Sequence, residues 1–406
     1  MKTIEIPSSK SDVHRAMIAA CLAEEPCRIL YSGTSSDIEA TERCVREIRR
    51  ARQEAGREAV LPCGESGSTL RFLLPVAGAL GLQGRFLLSG RLPDRPHGPL
   101  LLALEHHGMQ ISKEGREGLR FGGQLLSGTF RLPGDVSSQF VSGLLFALPL
   151  LKEDSVIRVT RPVQSEHYIR MTVQVIGRFG IRVIREETPE EVLYRVLGGQ
   201  RYRSPDVYPA EGDWSSAAFW LAAGVLGPEA VQVAGLRQDS LQGDREIVRL
   251  LQAFGAEIEA AGETVTAHPA TGGLRGITID AGQIPDLVPV LALVGVLAEE
   301  ETRIVNAARL RMKESDRLRA TAETLNALGA EVAEGPDRLE IRGVRQLMGG
   351  TVSSFGDHRI AMMAAVASLR SEKTVQLHGS EAVRKSYPEF FGVLDAQGLG
   401  YNLERD

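Results

Sequence analysis

Residues 253–258 read AFGAEI and residues 327–332 read ALGAEV; in both, a helical stretch closes on glycine and passes directly into a β-prone one. HHGMQI at 106–111 and RFGIRV at 178–183 repeat the pattern, with a looser copy, AQGLGY, at 396–401. The glycines Gly108, Gly180, Gly255, Gly329 and Gly398 are separated by 72, 75, 74 and 69 residues. A near-constant period marks one structural unit used repeatedly. Its length suits two helices and several strands, so that six copies nearly fill the 406 residues.

A second helix in each copy keeps the same period. These stretches read SKSDVHRAMIAACLA from Ser9, GESGSTLRFLLPVAGAL from Gly64, VSSQFVSGLLFALPLL from Val136, EGDWSSAAFWLAAGVL from Glu211, IPDLVPVLALVGVLA from Ile284 and GDHRIAMMAAVASL from Gly356. Their starts are 55, 72, 75, 73 and 72 residues apart. All six are apolar on nearly every face, which predicts burial at the centre of three-helix clusters. The short first interval predicts a truncated first copy. Its other helix, SDIEATERCVREIRRARQEAG, places Glu39 against Arg43 and Glu42 against Arg46 at i,i+4 spacing, the pattern of a solvated structural helix. The segments between helices, VIRVT, VQVAG and TRIVNA, are short and β-branched. Alternating helices and strands give an α/β (α+β) fold, and three copies per domain give two similar domains of about 200 residues each.

Composition narrows the function. A net charge of −5, from 47 Lys plus Arg against 52 Asp plus Glu, disfavours a general nucleic-acid binder. The longest apolar run, Val288–Ala298, is too short to span a bilayer. MKTIEIPSSK lacks the apolar core of a secretory leader, so a cytoplasmic location is the expectation. Cys21, Cys27, Cys44 and Cys63 form no CxxC pair and have no nearby His, which reads as reduced core thiols with no metal site.

Each buried helix begins with Ser, Gly, Asp or basic residues. Such residues cap helices, and a helix N-terminus facing a cleft is also an anion site. Lys10, Arg15, Arg71, Arg95, Lys313, Arg317, Arg359 and Lys385 lie close to these starts, with the carboxylates Asp286 and Glu314 among them. The surplus of positive charge suits a ligand set of two phosphates and two carboxylates, about −5 to −6 in total.

SSKSDVHRA, GESGSTLR, DRPHGPL, VSSQF, SEHYI, EGDWSSA, QGD, IPD, KESDRL, GDHRIAM and KSYPEFF occur in that order from about Ile6 to Phe391. In order and spacing the chain resembles the 5-enolpyruvylshikimate-3-phosphate (EPSP) synthases, or 3-phosphoshikimate 1-carboxyvinyltransferases, of the enolpyruvyl transferase family. The resemblance implies a two-domain inside-out α/β barrel of six βαβαββ repeats around buried parallel helices. One domain would span 9–211, with the shikimate 3-phosphate side; residues 1–8 plus 212–406 would form the other, with the phosphoenolpyruvate carboxylate and acid/base residues. Ligands would bind in the interdomain cleft. It implies transfer of the enolpyruvyl group of phosphoenolpyruvate to the 5-hydroxyl of shikimate 3-phosphate, by addition and elimination, on the route to chorismate and aromatic amino acids. No metal or organic cofactor is implied, and the expected partners are the two small molecules, with no nucleic acid, no membrane and a monomeric chain.

By the same resemblance, Asp286 would accept the 5-hydroxyl proton while Glu314 and Lys10 exchange protons with the reacting carbon and bridging oxygen. Ser137, Ser138 and Ser165 would hold the shikimate 3-phosphate, with Arg15 on its ring carboxylate and Lys10, Ser11, Gln139, Tyr168, Asp286 and Lys313 completing the pocket. Arg317 and Arg359 would clamp the phosphoenolpyruvate carboxylate, and Lys10, Gly67, Arg95, Gln139 and Lys385 would surround its phosphate. Arg71 and His358 would support these residues from behind. Taken singly, Asp286 also reads as a helix cap, Glu314 with Arg317 as a surface pair, Tyr168 as a core aromatic, and Ser137 with Ser138 as an N-cap. The chain departs from the family's frequent Asn at Arg309 and at Glu65.

Two rivals are weaker. The transferase acting on UDP-N-acetylglucosamine uses a loop cysteine, whereas no Cys follows Cys63 and the corresponding loop reads GRLPDRPHG. A repeat-built clamp around DNA needs Lys and Arg along its helix faces, but these helices are polar only at their tips.

Overall fold

The computed structural model describes residues 2–54 and 56–406. The chain separates into two compact units. The amino-proximal unit is Lys10–Tyr31 with Ser36–Ala210, and the carboxy-proximal unit is residues 2–9, Ser32–Ser35 and Glu211–Asp406.

The apolar stretches form the helices α1 (Lys10–Leu22), α2 (Gly67–Ala79) and α3 (Ser138–Ala147) of the first unit. In the second they form α4 (Trp214–Leu226), α5 (Val288–Val296) and α6 (His358–Ala367). Every residue of α4, α5 and α6 is buried, as expected of helices without a polar face. Those three pack on one another; in the other unit α2 packs against both α1 and α3. Side-chain caps start four of the six: Ser66, Ser137, Asp213 and Asp357 each accept from a backbone N–H of the first turn.

Where α2 meets α3 the backbones approach closely. A Cβ built on Gly143 would lie 2.1 Å from the carbonyl oxygen of Arg71. Gly143→Ala is therefore expected to destabilise the protein by about 1–3 kcal/mol, the usual scale of overpacking, measured as a lowered denaturation midpoint.

The repeat is visible in the sheets. Four of them have the same four-stranded plan, in which the first strand pairs parallel with the second, the second antiparallel with the fourth, and the fourth antiparallel with the third. The Thr129–Pro133, Ser155–Thr160, Glu191–Val196, Val183–Glu187 sheet is one example, with α3 between its parallel strands. The glycine junctions turn the chain into the third strand of each sheet; Gly255 at φ +100° and Gly329 at φ +94° occupy backbone that other residues rarely adopt.

Two copies obtain their first strand from elsewhere in the chain. Lys2–Glu5 pairs parallel with Val231–Ala234, the strand after α4, in register Ile4 to Val233. Val207–Pro209 pairs parallel with Arg28–Leu30, the strand after α1. The first of these pairings accounts for residues 2–9 belonging to the carboxy-proximal unit. The first copy is short because it has no antiparallel hairpin: the helix Ser36–Gln53 is followed at Ala59 by the first strand of the next sheet. The last copy also departs, with Gly350–Ser353, Val375–His378 and Leu403–Arg405 all parallel. No helix among the described residues is long and apolar enough to cross a membrane.

Candidate functional site

In the carboxy-proximal unit, charged side chains gather where α5, α6 and the KESDR segment begin. Asp286 lies on the short turn Pro285–Leu287 leading into α5. Its Oδ1 accepts from Arg317 Nη1 at 2.8 Å and Lys313 Nζ at 3.4 Å, while Oδ2 faces Arg359 Nη2 at 3.5 Å. Arg359 Nη1 also donates to the Asp286 carbonyl at 3.3 Å.

Arg317 is the hub, 1% exposed. Its Nε donates to Asp357 Oδ2 at 2.8 Å, and its Nη2 to Glu314 Oε2 at 2.7 Å and to Asp357 Oδ1 at 3.2 Å. With Arg317 buried and Glu314 half-buried, the two do not form a surface pair. Asp357, itself fully buried, also accepts from Ser315 Oγ at 3.0 Å and from the Arg359 backbone N–H that begins α6. His358 Nδ1 lies 3.8 Å from Asp357 Oδ1. Lys385 is buried at the end of the turn Ser380–Lys385, which packs on α6.

The cluster governs its own ionisation. Burial opposes the charge on Asp286, yet Arg359, Lys313 and Arg317 together hold its carboxyl well below the usual carboxylate range. Burial lowers Lys313 to about 8, with Arg317 and Arg309 acting in the same direction and Asp286 and Glu314 against it. Arg309, the departure from the family pattern, therefore acts on Lys313. Asp244 of the QGD segment is buried, bonded by Ser215 Oγ, and raised to about 7, first by burial and then by Asp286.

The amino-proximal unit holds two further groups. Around the start of α2, Gln139 accepts from Arg71 Nη1 at 2.7 Å and donates to Ser68 Oγ at 2.9 Å. A Cβ on Gly67 would stand 3.0 Å from Arg95 Nη1 and 3.5 Å from Arg71 Nη1, so both guanidiniums border the helix start. Ser137 caps α3 by accepting from the Gln139 N–H, and Ser138 is buried as its first residue. Around the start of α1, Lys10 Nζ donates to Asp37 Oδ2 at 2.9 Å. Arg15, 2% exposed, donates from Nη1 to the Ser11 carbonyl at 2.6 Å, from Nε to Thr172 at 2.8 Å and from Nη2 to the Tyr168 carbonyl at 2.9 Å. Its Cζ stands 5.7 Å from the half-buried Tyr168 ring. Ser165, buried at the start of the helix Glu166–Arg178, holds φ +54°, strained for a residue with a side chain.

The fold therefore joins Asp286, Lys313, Glu314, Arg317 and Arg359 in one network, groups Gly67, Arg71, Arg95 and Gln139, and groups Ser11, Arg15 and Tyr168. Four residues absent from the sequence assignment prove integral to these groups: Asp357, Ser315, Asp244 and Asp37. The first three lay inside motifs already noted. Asp37 had no signal beyond its place at a helix start. Asp357 and Asp37, each ion-paired with one of the expected cations, make the positive surplus smaller in the folded groups than in the sequence.

Comparison with known proteins identifies the family of the chain. The sequence profile of the family described as EPSP synthase (3-phosphoshikimate 1-carboxyvinyltransferase) matches residues 1–394. The 3-phosphoshikimate 1-carboxyvinyltransferase of Clostridium kluyveri is 40% identical, covering 99% of this chain and 95% of that protein. That of Clostridium acetobutylicum is 41% identical over 97% and 94%. Among solved structures, EPSP synthase from Acinetobacter baumannii shares the fold with a TM-score of 0.76 at 23% identity, covering 98% of this chain and 95% of that one. The enolpyruvyl transferase NikO from Streptomyces tendae also has a TM-score of 0.76, at 21% identity, over 99% and 95%. With its sequence matched from end to end at this level, the chain belongs to the EPSP synthase family of enolpyruvyl transferases.

Proposed function

We propose that the protein transfers the enolpyruvyl group of phosphoenolpyruvate to the 5-hydroxyl of shikimate 3-phosphate and releases phosphate, as a shikimate-pathway enzyme. The observation that carries this reading is the buried network in which Asp286 and Glu314 share Arg317, with Lys313 and Arg359 alongside. It offers carboxylates for proton transfer beside cations for anionic substrates.

In the addition step the 5-hydroxyl oxygen bonds to C2 of phosphoenolpyruvate, loses its proton to Asp286, and C3 gains a proton. In the elimination step the bond from C2 to the phosphate oxygen breaks, C3 returns a proton and phosphate leaves. Glu314 and Lys10 exchange protons with C3 and the bridging oxygen. Arg317 and Arg359 take the phosphoenolpyruvate carboxylate; Lys10, Gly67, Arg95, Gln139 and Lys385 take its phosphate. Ser137, Ser138 and Ser165 bind the other phosphate, Arg15 the ring carboxylate, and Ser11, Tyr168 and Lys313 line the ring. Arg71, bonded to Gln139, and His358 act in support. Proton transfers suffice for these steps, and the proposed working form is a cytoplasmic monomer.

A carboxyl held far below its usual range is a weak base. Substrate anions supply the correction: as they draw on Arg317, Arg359 and Lys313, less positive charge is left on Asp286 and its basicity rises. Chemistry is thereby coupled to occupancy by both substrates.

Lys313 supplies a pH test. It is protonated and attracts anions below about 8, and it loses that charge above. The value of kcat/KM for shikimate 3-phosphate is expected to fall as pH rises through about 8, and Lys313→Met should remove that limb; a flat profile to pH 9.5 would detach Lys313 from binding. The reading as a whole is tested by phosphate release with the two substrates.

A further inference from the structure

Four side chains form a hydrogen-bonded chain through the interior of the amino-proximal unit. His14 Nδ1 stands 2.6 Å from Thr41 Oγ1, Thr41 Oγ1 stands 2.6 Å from Thr69 Oγ1, and Thr69 Oγ1 donates to Ser66 Oγ at 2.7 Å. They come from three elements: α1, the helix Ser36–Gln53, and the start of α2. None is more than 1% exposed.

Counting protons gives the chain a direction. A hydroxyl has one proton to donate. Thr69 uses its own on Ser66, so the bond between the threonines uses the proton of Thr41, and His14 Nδ1–H must be the donor to Thr41. The ring is then the Nδ1–H tautomer, with Nε2 a buried lone pair that has no partner among the described residues. Burial, with Lys10 and Arg15 adding to it against Asp37, lowers the His14 pKa to about 3, which keeps the ring neutral. At the far end Ser66 Oγ accepts twice, from Thr69 Oγ1 and from the Thr69 N–H at 3.4 Å. Its own proton has no acceptor among the described residues.

We propose that His14, Thr41 and Thr69 are positioning residues for the phosphate of phosphoenolpyruvate. By making Ser66 an acceptor toward the interior, they turn its hydroxyl proton and the adjoining start of α2 at Gly67 into donors for that phosphate. This rests on the function proposed above. A phosphate oxygen only accepts, so a Ser66 locked as donor favours it, and Arg95 Nη1 already borders Gly67. His14 lies one turn after Lys10 on α1, so the same chain links the α1 end that carries Lys10 to the α2 end that carries Gly67.

Thr69→Val keeps the shape of the side chain and deletes the hydroxyl; Thr69→Ser keeps the hydroxyl. Thr69→Val is expected to raise KM for phosphoenolpyruvate about tenfold, the scale of one buried hydrogen bond, with KM for shikimate 3-phosphate within about twofold. Thr69→Ser should stay within about twofold of the parent in both. A merely structural role would move both KM values together, or move only the denaturation midpoint, and either result overturns the proposal. Thr41→Val breaks the chain one link further and should act in the same direction; it replaces Thr69→Val where that variant does not fold. Two readouts need no turnover. Nitrogen-15 NMR should show His14 protonated at Nδ1 and not at Nε2, and the opposite tautomer overturns the chain. Calorimetric titration of phosphoenolpyruvate into the parent and Thr69→Val should show weaker binding by the variant, and equal affinities overturn the proposal. If the parent binds phosphoenolpyruvate yet does not turn over with shikimate 3-phosphate, the functional reading has failed while the titration still decides this one.

Discussion

Asp286→Asn is expected to lower kcat by at least about 10²-fold while leaving both substrate affinities within about tenfold, the pattern of a group that acts in proton transfer and not in ground-state binding. The amide keeps the size and an acceptor oxygen, so Arg317, now 2.8 Å from Oδ1, retains a partner. What is lost is the negative charge that Lys313 and Arg359 also face. Their attraction for substrate anions should increase, so any change in KM is expected to be downward. Asp286→Ala removes the acceptor as well and should add a loss of stability to the same loss of turnover. Steady-state kinetics with both substrates, alongside a denaturation curve for each variant, separates the two effects. A value of kcat near that of the parent would remove Asp286 from the chemistry.

Arg317→Met is expected to cost about 3–5 kcal/mol of stability, because it leaves buried carboxylates without their cation. Asp357 is fully buried, and Glu314 and Asp286 lose their shortest ion pairs. The loss should be read as a lowered urea denaturation midpoint relative to the parent. Arg317→Lys should not rescue it, since one ammonium cannot reproduce the fork that reaches Asp357, Glu314 and Asp286. A parent-like midpoint for Arg317→Met would show that the network is dispensable for folding.

The repeat was legible because it rests on burial. A helix such as Val288–Val296, with no polar residue, has nowhere to go but the interior, and the glycine at each helix–strand junction occupies backbone that few other residues accept. The truncated first copy followed from spacing alone. The strand exchange at Lys2–Glu5 and Val207–Pro209 did not, since parallel pairing between segments about two hundred residues apart leaves no local trace; only the family resemblance pointed to crossings near Ser8 and Glu211. Residue types at the site were legible, and partners were not. Arg317 reads in sequence as a cation open to a ligand, whereas in the fold it is already bonded to three carboxylates, one of which, Asp357, also looks like a simple cap. The bond between Lys10 and Asp37, and the chain from His14 to Ser66, join helices that only tertiary packing brings together.

The central claim is tested most directly by following phosphate release from phosphoenolpyruvate by the purified protein, with shikimate 3-phosphate and, separately, UDP-N-acetylglucosamine as acceptor. Release with shikimate 3-phosphate alone is the predicted result. Release with the nucleotide sugar alone, or with neither, would contradict the proposed activity.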